Sequence, residues 1–193
     1  KRIHFKINNM NLIFDIGFNV GEFTQTCFNK YPTCNVIAVE ANPNLVNGVS
    51  PHFFTNYNFT LHNNLVSNIE GEEIDFYVSP YATGVSTAST EFMQNSRFTK
   101  GSKNLPENSI KWNEPIKIQS ITIDSMLERY GMPDLIKIDV EGYEYTVLSG
   151  LTQKANDICF EWHEEEKDNL YKILEHLQSL GYNQFGVIGW FDE

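Results

Sequence analysis

The chain has 193 residues, 41% of them hydrophobic and 13% aromatic, enough for one complete core and too little for two independent α/β domains. Its 25 acidic against 14 basic side chains give a net charge of −11, which argues against nucleic acid as a partner because phosphate contacts dominate nucleic-acid affinity. No apolar run approaches the roughly 18–20 residues of a membrane helix, and Lys1 to Met10 is too polar for the core of a signal peptide.

Cys27, Cys34 and Cys159 show neither metal-ligand spacing nor a CxxC pair, which fits a reducing, cytoplasmic setting. The expectation is a single soluble domain over residues 1–193, with nothing in the pattern that fixes an oligomeric state.

The turn signals divide the chain into short apolar runs separated by helix-like stretches, the α/β pattern. Leu12 to Gly17 predicts a buried strand ending in a glycine turn, and Glu22 to Tyr31 a helix that Pro32 closes. Asn35 to Glu40 is a second strand. Asn42-Pro43 has helix-entry chemistry, with Asn as N-cap and Pro in the first turn, and opens a short helix toward Val49. A third strand is expected over Phe59 to Val66.

Glu73 to Val78 alternates like a half-exposed strand, whereas Ser79 to Glu114 is rich in Ser, Thr, Asn and Pro without sustained periodicity. A loop of that length in a compact domain is a functional lid or a disordered segment, and the lid is preferred here. Lys100, Lys103 and Lys111 within it read as a solvated face. Regular structure resumes with a strand over Ile116 to Ile121 and a helix over Ile123 to Tyr130, which Gly131 ends. Leu135 to Val140 and Ile158 to Trp162 are strands, and Tyr143 to Leu151 is a helix. Glu164 to Leu180 is amphipathic, with Leu170, Ile173, Leu174, Leu177 and Leu180 on one face. Asn183 to Phe191 reads as a last strand or hairpin.

Open α/β sheets bind ligands beyond the carboxyl ends of their strands, where connections diverge. Four such ends carry unusual polar residues. In Asp15-Ile16-Gly17-Phe18-Asn19-Val20-Gly21 two glycines permit a sharp turn into a helix N-terminus. Asn19 occupies the central position of the GxGxxG dinucleotide fingerprint, and the Lys-Ser/Thr of a P-loop is missing, so a pyrophosphate ligand is disfavoured. Asp15 suits the ammonium of an amino-acid-bearing cofactor instead.

Glu40 ends the next strand, 25 residues after Asp15, near the spacing at which an acid accepts ribose hydroxyls. Asn63-Asn64-Leu65 either closes over an adenine ring or forms an ordinary asparagine turn. Asp139 closes an otherwise apolar strand, where a carboxylate must be paired, liganded or functional. With Glu141 it faces the neighbouring end Glu161-Trp162-His163, a set able to supply a general base or to hold a divalent ion.

These residues resemble a known family. Asp15 to Thr24 looks like a methyltransferase glycine motif and Val39-Glu40-Ala41-Asn42-Pro43 like its ribose-binding strand end. Asp134-Leu135-Ile136-Lys137-Ile138-Asp139-Val140-Glu141-Gly142-Tyr143-Glu144, followed by Val147-Leu148-Ser149-Gly150, is similar to the signature segment of FkbM methyltransferases. Phe18 departs from the pattern, standing where relatives carry a small residue.

The resemblance implies a Rossmann-like class I methyltransferase domain with a mostly parallel seven-stranded sheet, one strand antiparallel, flanked by helices. It implies S-adenosyl-L-methionine as cofactor and a hydroxyl acceptor on a sugar, glycan or glycosylated small molecule. Gly17 and Gly21 would then admit the methionine moiety and Asp15 its ammonium, Glu40 would hold the ribose, and Asn19, Thr24, Ala41 and Asn64 would complete the cofactor site. Asp139, Glu141 and His163 are the candidates for proton uptake. Asp139, Glu161 and His163 would form a site for a divalent ion such as magnesium, imitating metal-dependent relatives of the fold. Two rival readings are a nicotinamide-dependent oxidoreductase and a non-catalytic Rossmann-like binding module.

Overall fold

The computed structural model describes residues 9–104 and 106–187. Its central layer is a sheet of five parallel strands: β1 (Leu12–Ile16), β2 (Asn35–Val39), β3 (Asn58–His62), then, after a long interval, β7 (Leu135–Ile138) and β8 (Asp157–Phe160). The spatial order is β3-β2-β1-β7-β8, so the chain builds outward from β1 in one direction and later returns to its other side. The switch point between β1 and β7 opens a crevice at their carboxyl ends.

The strands are short apolar runs because both faces are covered. Alternate residues serve opposite cores. Phe14, Ile16, Ile37, Val39, Ile136 and Ile138 pack on the side of α6 (Ile123–Tyr130), α7 (Glu144–Ser149) and α8 (Lys167–Ser179). Ile13, Val36, Ala38 and Leu135 pack on the other side, with Phe28 of α1 (Glu22–Lys30) and Phe53 of α3 (Pro51–Asn56). Between α1 and α3 in the chain lies α2 (Pro43–Asn47), capped by the Asn42 side chain as its sequence predicts.

The remaining strands form a second, three-stranded sheet in the order β4-β6-β5. In it β4 (Leu65–Val66) runs parallel to β6 (Ile116–Ile121), and β5 (Glu73–Phe76) runs antiparallel to β6. The expected seven-stranded sheet is therefore corrected to five strands, and the antiparallel pairing belongs to the small sheet. The expected strand Phe59 to Val66 is broken at Asn63-Asn64, whose side chains are spent on main-chain carbonyls. Asn63 donates to Glu40 O and Ala41 O at 2.9 and 3.2 Å, and Asn64 to Gln119 O at 3.0 Å. That break sends β4 to the other sheet. At the C-terminal end, residues 183–187 carry no regular structure, and the rest of the expected last strand lies outside the described residues.

The excursion from Ser79 to Glu114 is more regular than its sequence suggests. It holds a 3-10 turn at Thr83–Val85, α4 (Thr90–Asn95), capped by Ser89, and α5 (Arg97–Lys100). It folds back over the carboxyl ends of the main sheet. Thr87 bridges Tyr77, and the Trp112 indole donates to Val85 O at 2.8 Å. No described helix is long and apolar enough to cross a membrane.

Candidate active site

A cleft of about 530 Å³, counted out to its mouth, opens at the switch point. One wall comes from the ends of β1 and β2, the other from the turn after β7, and Thr83, Gly84, Ser86 and Ala88 of the excursion complete it.

The first wall is shaped by backbone. Gly17 and Phe18 both donate to Val39 O, at 3.0 and 3.1 Å, which clamps the turn to β2. Gly17 has φ +82°, and a Cβ there would lie 1.9 Å from the carbonyl oxygen of Asp139, so no other residue fits between the two strand ends. Asn19 is also left-handed, at φ 50°. Its N–H donates to Glu40 Oε2 at 2.7 Å, while Asn42 N–H donates to Glu40 Oε1 at 2.7 Å. Both oxygens of a buried carboxylate are thereby fixed at the cleft wall. Burial pushes Glu40 above its ordinary pKa, against the opposing pull of those two N–H groups. Ala41 and Asn64 line the same wall.

Three predicted cofactor residues stand elsewhere. Gly21 begins α1 outside the cleft lining, and its glycine is required because a Cβ would meet Phe18 Cζ at 2.5 Å and Phe53 Cζ at 2.9 Å. Phe18 points into the aromatic core against Phe53 and Phe59, which explains how a large residue is accommodated in the loop. Asp15 is fully buried behind the loop and accepts from Thr24 Oγ1 at 2.6 Å. Both side chains brace α1 against β1.

Lys137, which its place in the sequence did not single out, faces Asp15 across the β1–β7 register. Its Nζ lies 3.1 Å from Asp15 Oδ1 and 3.7 Å from Asp139 Oδ2, and donates to Gly17 O at 2.7 Å. Burial opposes the ammonium, but Asp15 and Asp139 outweigh it and hold its pKa above lysine's usual value. A lysine flanked by buried isoleucines in a central strand was the available signal.

The second wall is built of side chains. The register pairing Ile138 with Phe160 delivers Asp139 and Glu161 side by side at the ends of β7 and β8. Burial first, opposed by Lys137 and helped by a hydrogen bond to Glu161, pushes Asp139 up to about 7. The turn that follows has two left-handed residues, Glu141 at φ 53° and Gly142 at φ 87°. Glu144 holds it, accepting from Val140 N–H at 3.0 Å and Gly142 N–H at 2.9 Å. Burial pushes Glu144 up to about 8.

Glu141 Oε2 lies 3.3 Å from His163 Nε2, and Thr87 of the excursion donates to Glu141 O at 2.7 Å. Burial lowers the pKa of His163, yet Glu141, Glu161 and Glu144 outweigh it and leave the ring above its usual value. The predicted proton-handling residues Asp139, Glu141 and His163 are thus brought together.

For a metal, the geometry gathers Glu141, not Asp139, with Glu161 and His163, one ligand atom of each within 4.8 Å of the others. Two carboxylates suit a hard cation. His163 Nε2 lies 3.3 Å from Glu141 Oε2, and its Nδ1 stands 3.5 Å from Arg97 Nη2.

No curated protein and no solved structure matches the chain at a significant level. The family model described as the methyltransferase FkbM domain matches residues 15–183, which takes in both walls, the excursion between them and the helix behind them. The chain therefore belongs to the FkbM methyltransferase family.

Proposed function

We propose that this domain transfers a methyl group from S-adenosyl-L-methionine to a hydroxyl of a sugar, glycan or glycosylated small molecule. The observation that carries the reading is Glu40. Its two carboxylate oxygens, each fixed by one backbone N–H, retain free lone pairs at the cleft wall, so they can accept a pair of neighbouring hydroxyls such as those of a ribose. The cofactor fits the residues present: Gly17, Asn19, Glu40, Ala41 and Asn64 line the cleft and would hold it. When bound, it supplies an electrophilic methyl on a sulfonium that is already a good leaving group.

The protein's own task is alignment and proton handling. Asp139 lines the cleft beside Glu161, and burial raises its affinity for a proton, so it is the group that takes up the hydroxyl proton. Glu161 shares a hydrogen bond with it. His163 holds Glu141, and no ion is needed in this scheme. The segment from Ser79 to Glu114 serves as the lid over the acceptor, Thr83 reaching Asn19 Oδ1 at 3.3 Å.

Calorimetric titration with S-adenosylmethionine and S-adenosylhomocysteine tests the reading. Micromolar binding, weakened at least about tenfold by Glu40→Ala, is the expected result, that factor being about 1.4 kcal/mol. Binding of reduced nicotinamide cofactor in its place would favour the oxidoreductase. Cofactor binding with no methyl transfer to any hydroxyl acceptor would favour the non-catalytic module.

A further inference from the structure

Resting on that reading, we infer that Lys137 is a positioning residue for methyl transfer: its ammonium holds the peptide between Gly17 and Phe18 in the orientation that receives the cofactor. Lys137 does not line the cleft, so it acts through Gly17, which does. Its neighbours in β7 are Leu135, Ile136 and Ile138, all fully buried, and an apolar residue would meet the needs of packing between them. Burying an ammonium there is costly, so the contacts it makes have to offset that cost.

A lysine carries three N–H donors. Here they meet Asp15 Oδ1 at 3.1 Å, Gly17 O at 2.7 Å and Ile16 O at 3.4 Å, while Asp139 Oδ2 at 3.7 Å and the Phe23 ring, its centroid 5.8 Å away, enclose the ammonium further. Ile16 O already accepts from Asp139 N–H at 3.0 Å. Gly17 O has no such support: among the described residues no main-chain N–H donates to it. In a planar trans peptide the C=O and the N–H point in opposite directions. The N–H of this peptide, that of Phe18, donates to Val39 O at 3.1 Å. Lys137 and Val39 thus grip one peptide unit from opposite sides, next to a glycine that does little to fix its own conformation. One residue on, Asn19 N–H holds Glu40 Oε2 at 2.7 Å, so a rotated peptide would also disturb the carboxylate that receives the ribose.

The test compares the parent with Lys137→Arg, which keeps the charge and the N–H donors, and with the double variant Asp15→Asn, Lys137→Met, which removes the donor without leaving Asp15 charged and alone. Amide hydrogen exchange by NMR and calorimetric titration with S-adenosylhomocysteine are the readouts. In the double variant the Phe18 amide should exchange at least about tenfold faster, while those of Ile37 and Ile136 in the core strands keep their protection. Its affinity for S-adenosylhomocysteine should fall at least about tenfold. Lys137→Arg should retain more of both properties than the double variant. Affinity equal to that of the parent in the double variant overturns the inference, as does weaker binding with Phe18 still protected. Protection lost equally at Ile37 and Ile136 marks a merely structural residue and also overturns it, as does Lys137→Arg performing no better than the double variant. Failure of S-adenosylhomocysteine to bind the parent sinks the proposed function instead, and the exchange comparison still decides whether Lys137 holds the peptide.

Discussion

The wall of the cleft formed by β1 and β2 and the wall formed by β7 and β8 hold their functional groups by different means. On the first, main chain does the positioning: Gly17 fits where only hydrogen fits, and two backbone N–H groups fix Glu40. On the second, side chains position one another: Asp139 with Glu161, Glu141 with His163, and Glu144 folded back on its own turn. Such a division suits the chemistry. A cofactor of constant shape wants a rigid mould, whereas proton transfer wants groups whose charge can change. Lys137 is where the walls meet, since it touches Asp15 and Gly17 O on one strand and Asp139 on the other.

Removing that junction should have the largest effect. Lys137→Met leaves Asp15 fully buried with its charge uncompensated, and breaking one partner of a buried pair costs about 3–5 kcal/mol. Urea denaturation should show that loss, and the double variant Asp15→Asn, Lys137→Met should recover most of it. A single variant within about 1 kcal/mol of the parent would mean that the walls do not depend on this pair.

A second substitution tests the backbone-held wall by itself. Gly17→Ala combines a left-handed conformation, about 1–3 kcal/mol, with overpacking against Asp139 O, about 1–3 kcal/mol more, and should also abolish cofactor binding. Gly71→Ala is the internal control. Its φ is +75°, but a Cβ there meets nothing within 4 Å, so only the conformational cost remains. Equal losses in the two variants would show that the fit against Asp139 is unimportant.

The same division explains how much of the molecule was legible in its sequence. The β1 turn, the Glu40 strand end and the Asp139 signature were readable because a glycine or a lone acid closing an apolar strand is costly to a core and marks the strand's exposed end. Ile116–Ile121 and Ile123–Tyr130 fell at their expected bounds, helped by the cap at Thr122 and by Gly131. What failed was long-range. Strand count depended on β4 and β6 pairing away from the main sheet, which no local pattern records. Asp15 and Gly21 are read from the glycine motif as cofactor residues; in space Asp15 meets Lys137 and Gly21 packs against Phe18 and Phe53. The α3 helix had a signal, Ser50-Pro51, that went unused. Thr83, Thr87 and Arg97 had none: in a segment without periodicity, a residue's partner is chosen by where the chain folds back.

The pH dependence of stability is the sharpest discriminator between the walls. Asp139 and Glu144 are pushed up to about 7 and about 8 from ordinary values of 3.8 and 4.5. A carboxyl group whose folded pKa is raised binds its proton more tightly when folded. Its contribution to stability is therefore complete below the unfolded value and is lost as the pH rises through the folded one. Stability at constant ionic strength should decline between about pH 4.5 and pH 8 and level off above that range. Glu144→Gln will also lose a hydrogen bond to its turn, but that loss is independent of pH, so the slope and not the absolute stability is the readout. Asp139→Asn and Glu144→Gln should together remove more than half of the decline. Glu40 is shifted in the same direction, although Asn42 and Asn19 N–H oppose it, so Glu40→Gln is the control on the other wall. If that substitution flattens the profile more than the other two, the pH response belongs to the backbone-held wall and the contrast drawn between the two collapses.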